Sequence, residues 1–233
     1  MAFILCIETS TSICSVAVSG DGKLLSFREI QDAKSHASQL TPFISEVLDE
    51  AGINPNDLSA IAVSKGPGSY TGLRIGVSTA KGMAFALNVP LISVGTLLAM
   101  ASGFLSEHPF PSDNPDILLC PMIDARRMEV YSALYTTKLL EYRKILAEII
   151  YPDSFLSLFK DKKIHFFGDG AMKCGSLIKH DSSSFYDGFH PSAKYMIEHA
   201  FNKYEEGKFE NLAYFEPFYL KDFVATIPAN RLL

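Results

Sequence analysis

Three short apolar segments open the chain, and the polar positions between them predict an antiparallel meander. Residues 2–9, 13–19 and 23–30 are rich in Ile, Val, Leu, Phe and Cys. The second and third are separated by Ser-Gly-Asp-Gly, and glycines around an aspartate are typical of a tight hairpin turn. We therefore expect three consecutive strands at the start of the fold.

Helical periodicity and buried strands then alternate as far as residue 105. Apolar residues recur every three or four positions from Leu40 to Ala51, and Gly52 and Pro55 are expected to end that helix. Residues 58–64 and 90–93 have strand character, and helices are predicted at 71–87 and 95–105. This order predicts an α/β, ribonuclease-H-like unit in which a meander continues into parallel strands through helical crossovers.

A proline-rich stretch from His108 to Pro115 predicts a junction between two lobes. We expect an N-terminal lobe at 1–107 and a second, smaller α/β lobe at 108–233. In the second lobe the pattern predicts strands at 116–123, 128–136, 139–150 and 163–167, and helices at 152–159, 170–179 and 192–204, without fixing their order in space. Residues from Pro217 onward have the composition of an exposed tail, and no internal repeat is evident.

Charge and composition disfavour several classes of protein. The 233 residues carry 21 basic and 26 acidic side chains, a formal net charge of −5, without a basic stripe that would bind nucleic acid autonomously. No apolar run reaches the ~18 residues of a membrane span, and the start lacks a signal-peptide pattern. The four cysteines have no metal-binding spacing, so we expect reduced, buried thiols in a cytoplasmic protein.

Two segments have features of an anion-binding site. Glu8 stands at a strand end before four hydroxyl residues, and a glycine-rich turn from Gly66 precedes the second helix but lacks the Walker pattern. A turn whose hydroxyls satisfy their own backbone is the alternative. The weak candidates for contacts with a cofactor are Glu8, Ser10, Gly66, Gly68 and Ser69.

Signatures of hydrolytic and metal chemistry are missing from the sequence. The six histidines form neither HExxH nor HxxxH, and no GxSxG segment is present. We therefore predict no catalytic residue and no metal ligand.

Small residues recur every four positions on the second helix, at Gly72, Gly76, Ala80 and Ala84. Glycine inside a helix is unfavourable by about 1 kcal/mol relative to alanine, so the stripe needs a packing reason. Either it packs closely onto the chain's own sheet or it forms a seam with another molecule. Spacing alone favours packing within the chain.

Several motifs resemble those of the TsaB (YeaZ) family, a subunit of the bacterial tRNA threonylcarbamoyladenosine synthase. They are residues 4–11 (Ile-Leu-Cys-Ile-Glu-Thr-Ser-Thr), 14–18 (Cys-Ser-Val-Ala-Val), the long segment 64–84 from Ser-Lys-Gly-Pro-Gly to Lys-Gly-Met-Ala, 123–131 (Ile-Asp-Ala-Arg-Arg-Met-Glu-Val-Tyr) and 219–225 (Tyr-Leu-Lys-Asp-Phe-Val-Ala). The resemblance implies an actin-like (ASKHA) architecture of two ribonuclease-H-like lobes.

The resemblance also implies a function without catalysis. Such a chain dimerises with the catalytic subunit TsaD and supports it, engages the ATPase TsaE, and contacts tRNA only through the complex, which modifies the adenosine next to the anticodon. Alone it forms a homodimer, and it needs no membrane. It has no cofactor of its own, and ATP and metal are expected in the partner subunits.

The resemblance implies that the first two helices build the interface with the catalytic subunit. For the stripe of small residues we therefore prefer a seam with another molecule over packing within the chain. The implied interface residues are Gly72, Gly76, Ala80 and Ala84, with Leu40, Ile44 and Val47 as weaker candidates. On that interpretation, Gly76→Arg leaves the chain folded and abolishes binding of the partner.

One departure concerns nucleotide binding. The family usually has Asp where this chain has Glu8, and the extra methylene would displace the carboxylate by over ~1 Å. Two alternative functions stay open. One is an ATP-dependent phosphotransferase that uses Glu8 and the 66–71 loop, and the other is a glycoprotease-like peptidase.

Overall fold

The computed structural model describes residues 1–32, 36–111 and 114–220, and its first sheet has five strands. They are β1 (Phe3–Glu8), β2 (Ile13–Gly20), β3 (Lys23–Gln31), β4 (Leu58–Ser64) and β5 (Leu91–Val94). In space the order is β3-β2-β1-β4-β5. β1, β2 and β3 pair antiparallel, whereas β4 and β5 continue parallel to β1. The predicted meander and parallel strands are confirmed.

Three helices accompany this sheet: α1 (His36–Ala51), α2 (Tyr70–Leu87) and α3 (Thr96–Glu107). α1 and α2 cover one face, where Val47 and Val77 pack with Ile61. Ser69 caps α2 by accepting a hydrogen bond from the N–H of Gly72, and Asn88 ends it in the left-handed conformation. A short 3-10 turn, Pro55–Asp57, leads into β4.

A second five-stranded sheet repeats the topology of the first. Its strands are β6 (Ile117–Asp124), β7 (Glu129–Thr136), β8 (Glu141–Ile149), β9 (Lys163–Phe167) and β10 (Ser183–Tyr186), in the order β10-β9-β6-β7-β8. β6, β7 and β8 pair antiparallel, and β9 and β10 continue parallel to β6. Both lobes therefore have the ribonuclease-H-like strand order, and the predicted α/β, actin-like architecture of two such lobes is confirmed.

Local predictions in the second lobe are partly wrong. Residues 152–159 form successive turns instead of a helix, and Phe155 has a positive φ of 70°, which a helix does not accommodate. The helix predicted at 170–179 is only the single turn α4 (Ala171–Cys174). The last predicted helix is a 3-10 turn, Ala193–Met196, followed by α5 (Ile197–Glu205). β10 has no apolar alternation, so the pattern missed it.

After the second sheet is complete, the chain returns to the first. Met196, Ile197 and Ala200 pack with Ile4 and Ala62 on the face opposite α1 and α2. The N–H of Glu210 then donates to the carbonyl of Leu91 at 2.8 Å, along the edge strand β5. We call residues 209–220 the C-terminal strap. α5 and the strap, which follow residue 108 in sequence, therefore pack on the first sheet.

α3 lies in the N-terminal lobe by sequence but packs on the second sheet. Its residues Met100 and Phe104 pack with Leu119 and Phe167 of the second sheet, although the helix follows β5 in sequence. The boundary between residues 107 and 108 stays a prediction. The prediction of an exposed tail is corrected for residues 217–220. This segment is attached to the first lobe, because the N–H of Phe218 donates to the carbonyl of Lys65 at 2.7 Å. Residues 221–233 of that predicted tail lie outside the described residues.

Candidate functional site

A cleft of about 480 Å³ lies where the two lobes meet. The first lobe contributes the β1–β2 turn and the start of α2, and the second lobe contributes the end of β6 and the loop after β9. The C-terminal strap closes one side with its last residues. The lining residues are Ser10, Thr11, Ser12, Pro67, Gly68, Ser69, Tyr70, Thr71, Ile123, Asp124, Ala125, Arg126, Tyr131, Asp169, Phe218, Tyr219 and Leu220.

The glycine-rich loop is held tightly against the end of β1. The N–H of Ser69 donates to the carbonyl of Ser10 at 2.6 Å, and the hydroxyl of Thr9 donates to the carbonyl of Gly72 at 2.8 Å. A methyl group at Gly68 would overlap with the Ser10 backbone, and one at Gly72 would overlap with the Thr9 carbonyl. These two glycines are therefore required for the close approach of α2 to β1.

Glu8 does not reach the cleft. Its side chain is fully buried, and its Oε1 accepts hydrogen bonds from the N–H of Ser10 at 2.6 Å and the hydroxyl of Ser64 at 2.9 Å. Burial raises the pKa of Glu8, and the contacts with Ser10 and Ser64 oppose that rise. The carboxyl group therefore fixes the geometry of the β1–β2 turn, and the expectation that it contacts a cofactor is not supported.

Of the other candidate cofactor residues, Ser10, Gly68 and Ser69 line the cleft and Gly66 does not. Gly66 has a φ of +104°, and its carbonyl accepts a hydrogen bond from the N–H of Thr96 at 3.1 Å. A side chain there would also contact the carbonyl of Phe218. Gly66 thus joins β4, α3 and the strap.

The second lobe brings charged residues to the opposite wall. Lys173 on α4 contacts Asp124 at 2.5 Å and donates to the carbonyls of Arg127 and Glu129 at 2.8 and 2.7 Å. Asp169 accepts a hydrogen bond from the N–H of Asp124 at 2.9 Å, and burial raises the pKa of Asp169. These contacts fix the β6–β7 turn against α4.

Aromatic residues of the strap complete the cleft beside the start of α2. The rings of Tyr70 and Tyr219 lie 5.0 Å apart, and the guanidinium of Arg74 lies 4.0 Å from the centre of the Tyr70 ring. The Arg74 Nε also donates to the hydroxyl of Tyr219 at 3.4 Å. Sequence reasoning missed this cluster because it assigned the residues from Pro217 onward, which include Tyr219, to an exposed tail.

Metal-ligating side chains and thiols are the remaining groups that could carry chemistry. Across residues 1–32, 36–111 and 114–220, no three His, Cys, Asp or Glu side chains are grouped to hold a metal ion. Burial raises the pKa of Cys6 to about 12 and that of Cys14 to about 11, so both are protonated thiols. Among the described helices, none has the length and apolar character needed to cross a bilayer.

Comparison with known proteins assigns the chain to a family. The model described as "TsaD: tRNA N6-adenosine threonylcarbamoyltransferase" matches residues 30–229. The tRNA threonylcarbamoyladenosine biosynthesis protein TsaB of Escherichia coli is 31% identical over 235 residues, which cover 95% of this chain and 96% of that protein. The chain belongs to the TsaB family. The TsaB of Haemophilus influenzae is 29% identical over 94% of this chain and 93% of its own length.

Solved structures agree with the TsaB assignment. YeaZ from Pseudomonas aeruginosa superposes with a TM-score of 0.76 at 25% identity, covering 94% of this chain and 100% of that chain. Component A of the (R)-2-hydroxyglutaryl-CoA dehydratase of Acidaminococcus fermentans has a TM-score of 0.50 at 10% identity, over 88% of this chain and 99% of its own. This second similarity concerns the fold alone.

In this TsaB-family chain the small-residue stripe faces inward. A methyl group at Gly76 would overlap with the Thr9 hydroxyl, and Ala80 and Ala84 are buried against the sheet. The weaker candidates on α1 are buried in the same core; they are Leu40, Ile44 and Val47. These residues are buried within the chain and cannot contact a partner directly, so their prediction as interface residues is corrected. The expected tolerance of Gly76→Arg is wrong as well, because an arginine there would collide with Thr9.

The outer surface of the same TsaB helices is a different set of residues. Ile75 and Thr79 are half-buried on α2, Gly82 and Ala86 are exposed, and the four follow one another at helical spacing. A methyl group at Gly82 would meet no atom within 4 Å. Phe85 is 79% exposed on this helix. The sequence contains no direct signal for this surface, because the exposure of Phe85 depends on the fold, and the stripe of small residues pointed to the other side of the helix.

Proposed function

We propose that this chain is the non-catalytic partner subunit of the complex that forms threonylcarbamoyladenosine next to the anticodon in tRNA, where it dimerises with and supports a TsaD-like catalytic subunit. The observation that carries this proposal is the similarity to E. coli TsaB over 96% of that protein. The commitment of Glu8 to the β1–β2 turn supports a supporting role over a catalytic one.

The proposed docking surface is the outer side of α1 and α2. Phe43 on α1 and Ile75 and Met83 on α2 are only partly buried by the chain's own core. Gly82 and Ala86 lie beside them without bulky side chains, so a partner helix can approach the backbone closely. The buried stripe then supports this surface from below by fixing α2 against the sheet.

The other partners follow from the same assignment. A TsaE-like ATPase joins the complex, tRNA is contacted through the assembled complex, and the chain forms a homodimer when alone. ATP and metal belong to the partner subunits, and the complex works in the cytoplasm.

Neither alternative function gains support from the geometry. A phosphotransferase of the actin-like type would need Glu8 at the cleft, whereas the carboxyl group is fully buried in the turn. A glycoprotease-like peptidase with a cysteine nucleophile would need an ionised thiol, whereas burial raises the pKa of all four cysteines, which are Cys6, Cys14, Cys120 and Cys174.

Gly82→Arg tests the docking surface. The substitution places a long cation on the exposed side of α2, at a position where an added Cβ has no atom within 4 Å, so the fold should persist while co-purification with the catalytic subunit is lost. Ser106→Arg is the matched control, since it adds the same charge at an exposed position of α3. Retained co-purification of a folded Gly82→Arg chain would refute the surface.

A further inference from the structure

The C-terminal strap runs beside α2 and is attached to it at two levels. Lys81 donates from its Nζ to the carbonyls of Ala213 and Phe215, at 3.3 and 3.0 Å. The Arg74 Nε donates to the Tyr219 hydroxyl at 3.4 Å. Because Arg74 and Lys81 are about two helical turns apart, the strap follows this length of the helix. It therefore lies along one flank of the helix that carries the proposed docking surface.

Contacts within the first lobe hold the strap in place without any partner. Leu212 and Phe215 pack against the core of that lobe. The N–H of Phe218 donates to the carbonyl of Lys65 at 2.7 Å, beyond the end of β4. A segment that is already ordered loses little conformational entropy when a partner covers it. The strap is thus a preformed surface.

The two most exposed aromatic side chains of the described residues lie on this flank. Tyr214 in the strap is 83% exposed and Phe85 on α2 is 79% exposed. Tyr214 stands between the two strap residues whose carbonyls accept hydrogen bonds from Lys81. Phe85 is four positions after Lys81, one turn along the same side of the helix. Both rings therefore flank the same lysine.

These rings supply what the small residues of α2 lack. Gly82 and Ala86 let a partner helix approach closely, but they offer little apolar area. A buried aromatic side chain covers about 150–250 Å², and a specific interface needs about 800 Å² on each partner. Phe85 and Tyr214 would thus provide a substantial share of that area.

The order of residues around α2 indicates which molecule covers the rings. By helical geometry Phe85 lies between Gly82 of the docking surface and Lys81 at the strap. A partner that covers Gly82 therefore meets Phe85 next and then Tyr214. The strap is continuous with the surface already proposed for the catalytic subunit.

We propose that the C-terminal strap is part of the surface that binds the TsaD-like catalytic subunit, with Tyr214 as an anchor beside Phe85. The proposal rests on the partner-subunit function and extends its interface from two helices near the start of the chain to a segment that follows α5. Lys81 is a positioning residue for this anchor, because it joins the strap to α2.

Tyr214→Ala tests the anchor, with the affinity of the full chain for the purified catalytic subunit measured by calorimetry. We expect binding to weaken about tenfold or more, since buried tyrosines are often among the few residues that dominate an interface. Tyr142→Ala removes an exposed tyrosine ring from β8 in the second lobe and is the matched control. It should change the affinity by less than about twofold. Equal losses in the two variants, or unchanged binding by a folded Tyr214→Ala chain, would overturn the proposal.

Hydrogen exchange provides a second measurement that needs no substitution. Addition of the catalytic subunit to the unmodified chain should slow amide exchange in residues 213–218 as well as in α1 and α2. Slower exchange confined to the two helices would contradict a contact with the strap.

The outcomes separate this proposal from the partner-subunit function. If Gly82→Arg abolishes binding and Tyr214→Ala leaves it unchanged, the helices form the interface without the strap, and only the present proposal is wrong. If the unmodified chain does not bind the catalytic subunit, both are wrong. If Tyr214→Ala reduces self-association but not binding of the catalytic subunit, the strap contacts a second copy of the chain, which also overturns the proposal.

Discussion

Glu8 has a carboxyl group at the end of β1 that accepts two hydrogen bonds through one oxygen, while the other, Oε2, has no partner among the described residues. An ionised group in this position is destabilised by burial, and the hydrogen bonds compensate only in part. The residue therefore fixes the geometry of the β1–β2 turn, but it lowers the stability of the fold at a pH where the carboxyl group would ionise.

Replacing Glu8 by glutamine should make the chain more stable at neutral pH. The pKa of Glu8 is raised above the value of about 4.3 in an unfolded chain, so its contribution is fully present below that value and is lost as the pH rises through the folded-state pKa. The amide carbonyl of a glutamine at this position can still accept the two hydrogen bonds and does not ionise, so the decline should disappear.

Urea unfolding between acidic and neutral pH measures this difference. Glu205→Gln, at an exposed position of α5, is the control and should follow the unmodified chain at every pH. A Glu8→Gln chain that is less stable than the unmodified one at neutral pH would show that the ionised carboxylate is required.

The glycines of α2 mark the limit of sequence reasoning at the scale of residues. Spacing placed Gly72 and Gly76 on one side of a helix, and the structure confirms that they share a side. What lies opposite them is the Thr9 backbone and hydroxyl, about sixty positions earlier in the chain. Helical periodicity contains no information about such a distant neighbour, so the choice between inner and outer packing could not be made from the pattern.

Among the elements, α2 has three sides with different environments. Its buried side packs on the sheet, its outer side is exposed, and one flank holds the C-terminal strap. Lys81 donates from its Nζ to the carbonyls of Ala213 and Phe215, at 3.3 and 3.0 Å. Lys81 thus joins α2 to the middle of the strap, whereas Arg74 contacts Tyr219 near its end.

Lys81→Met should loosen the strap while leaving α2 intact. The substitution keeps the aliphatic stem and removes the donor, which should lower the free energy of unfolding by about 1 kcal/mol and increase amide exchange in residues 211–219. Hydrogen exchange detected by mass spectrometry measures the segment directly. Unchanged exchange there would mean that Leu212 and Phe215, which pack on the core, hold the strap without Lys81.

The elements that the sequence predicted well are those with strong periodicity or continuous burial, such as β1, β4 and α2. The helix predicted at residues 152–159 is wrong for a physical reason. Phe155 and Phe159 are buried in the core of the second lobe at helical spacing. The backbone that carries them, however, forms turns in which Phe155 has a positive φ. Apolar spacing reports which side chains are buried, and it does not report the backbone path between them.

At the scale of the whole molecule, two lobes of equal topology are tied together by segments that cross over. α3 belongs to the first lobe in sequence and packs on the second sheet, whereas α5 does the opposite. Prediction treated the chain as two successive units, because the pattern shows where composition changes but not where a later helix returns. The cleft depends on this exchange, because the strap that lines it follows α5 in the chain.

Ala200→Asp tests which sheet α5 stabilises. Ala200 is fully buried against the first sheet, so a carboxylate there should lower the free energy of unfolding by about 3 kcal/mol or more. Amide protection should fall first in β1, β4 and β5. Asn202→Asp adds the same charge at an exposed position of the same helix and should leave protection unchanged. If protection fell instead in β6 and β9, α5 would belong energetically to the second lobe, and the residues after 192 would not join the two halves of the molecule.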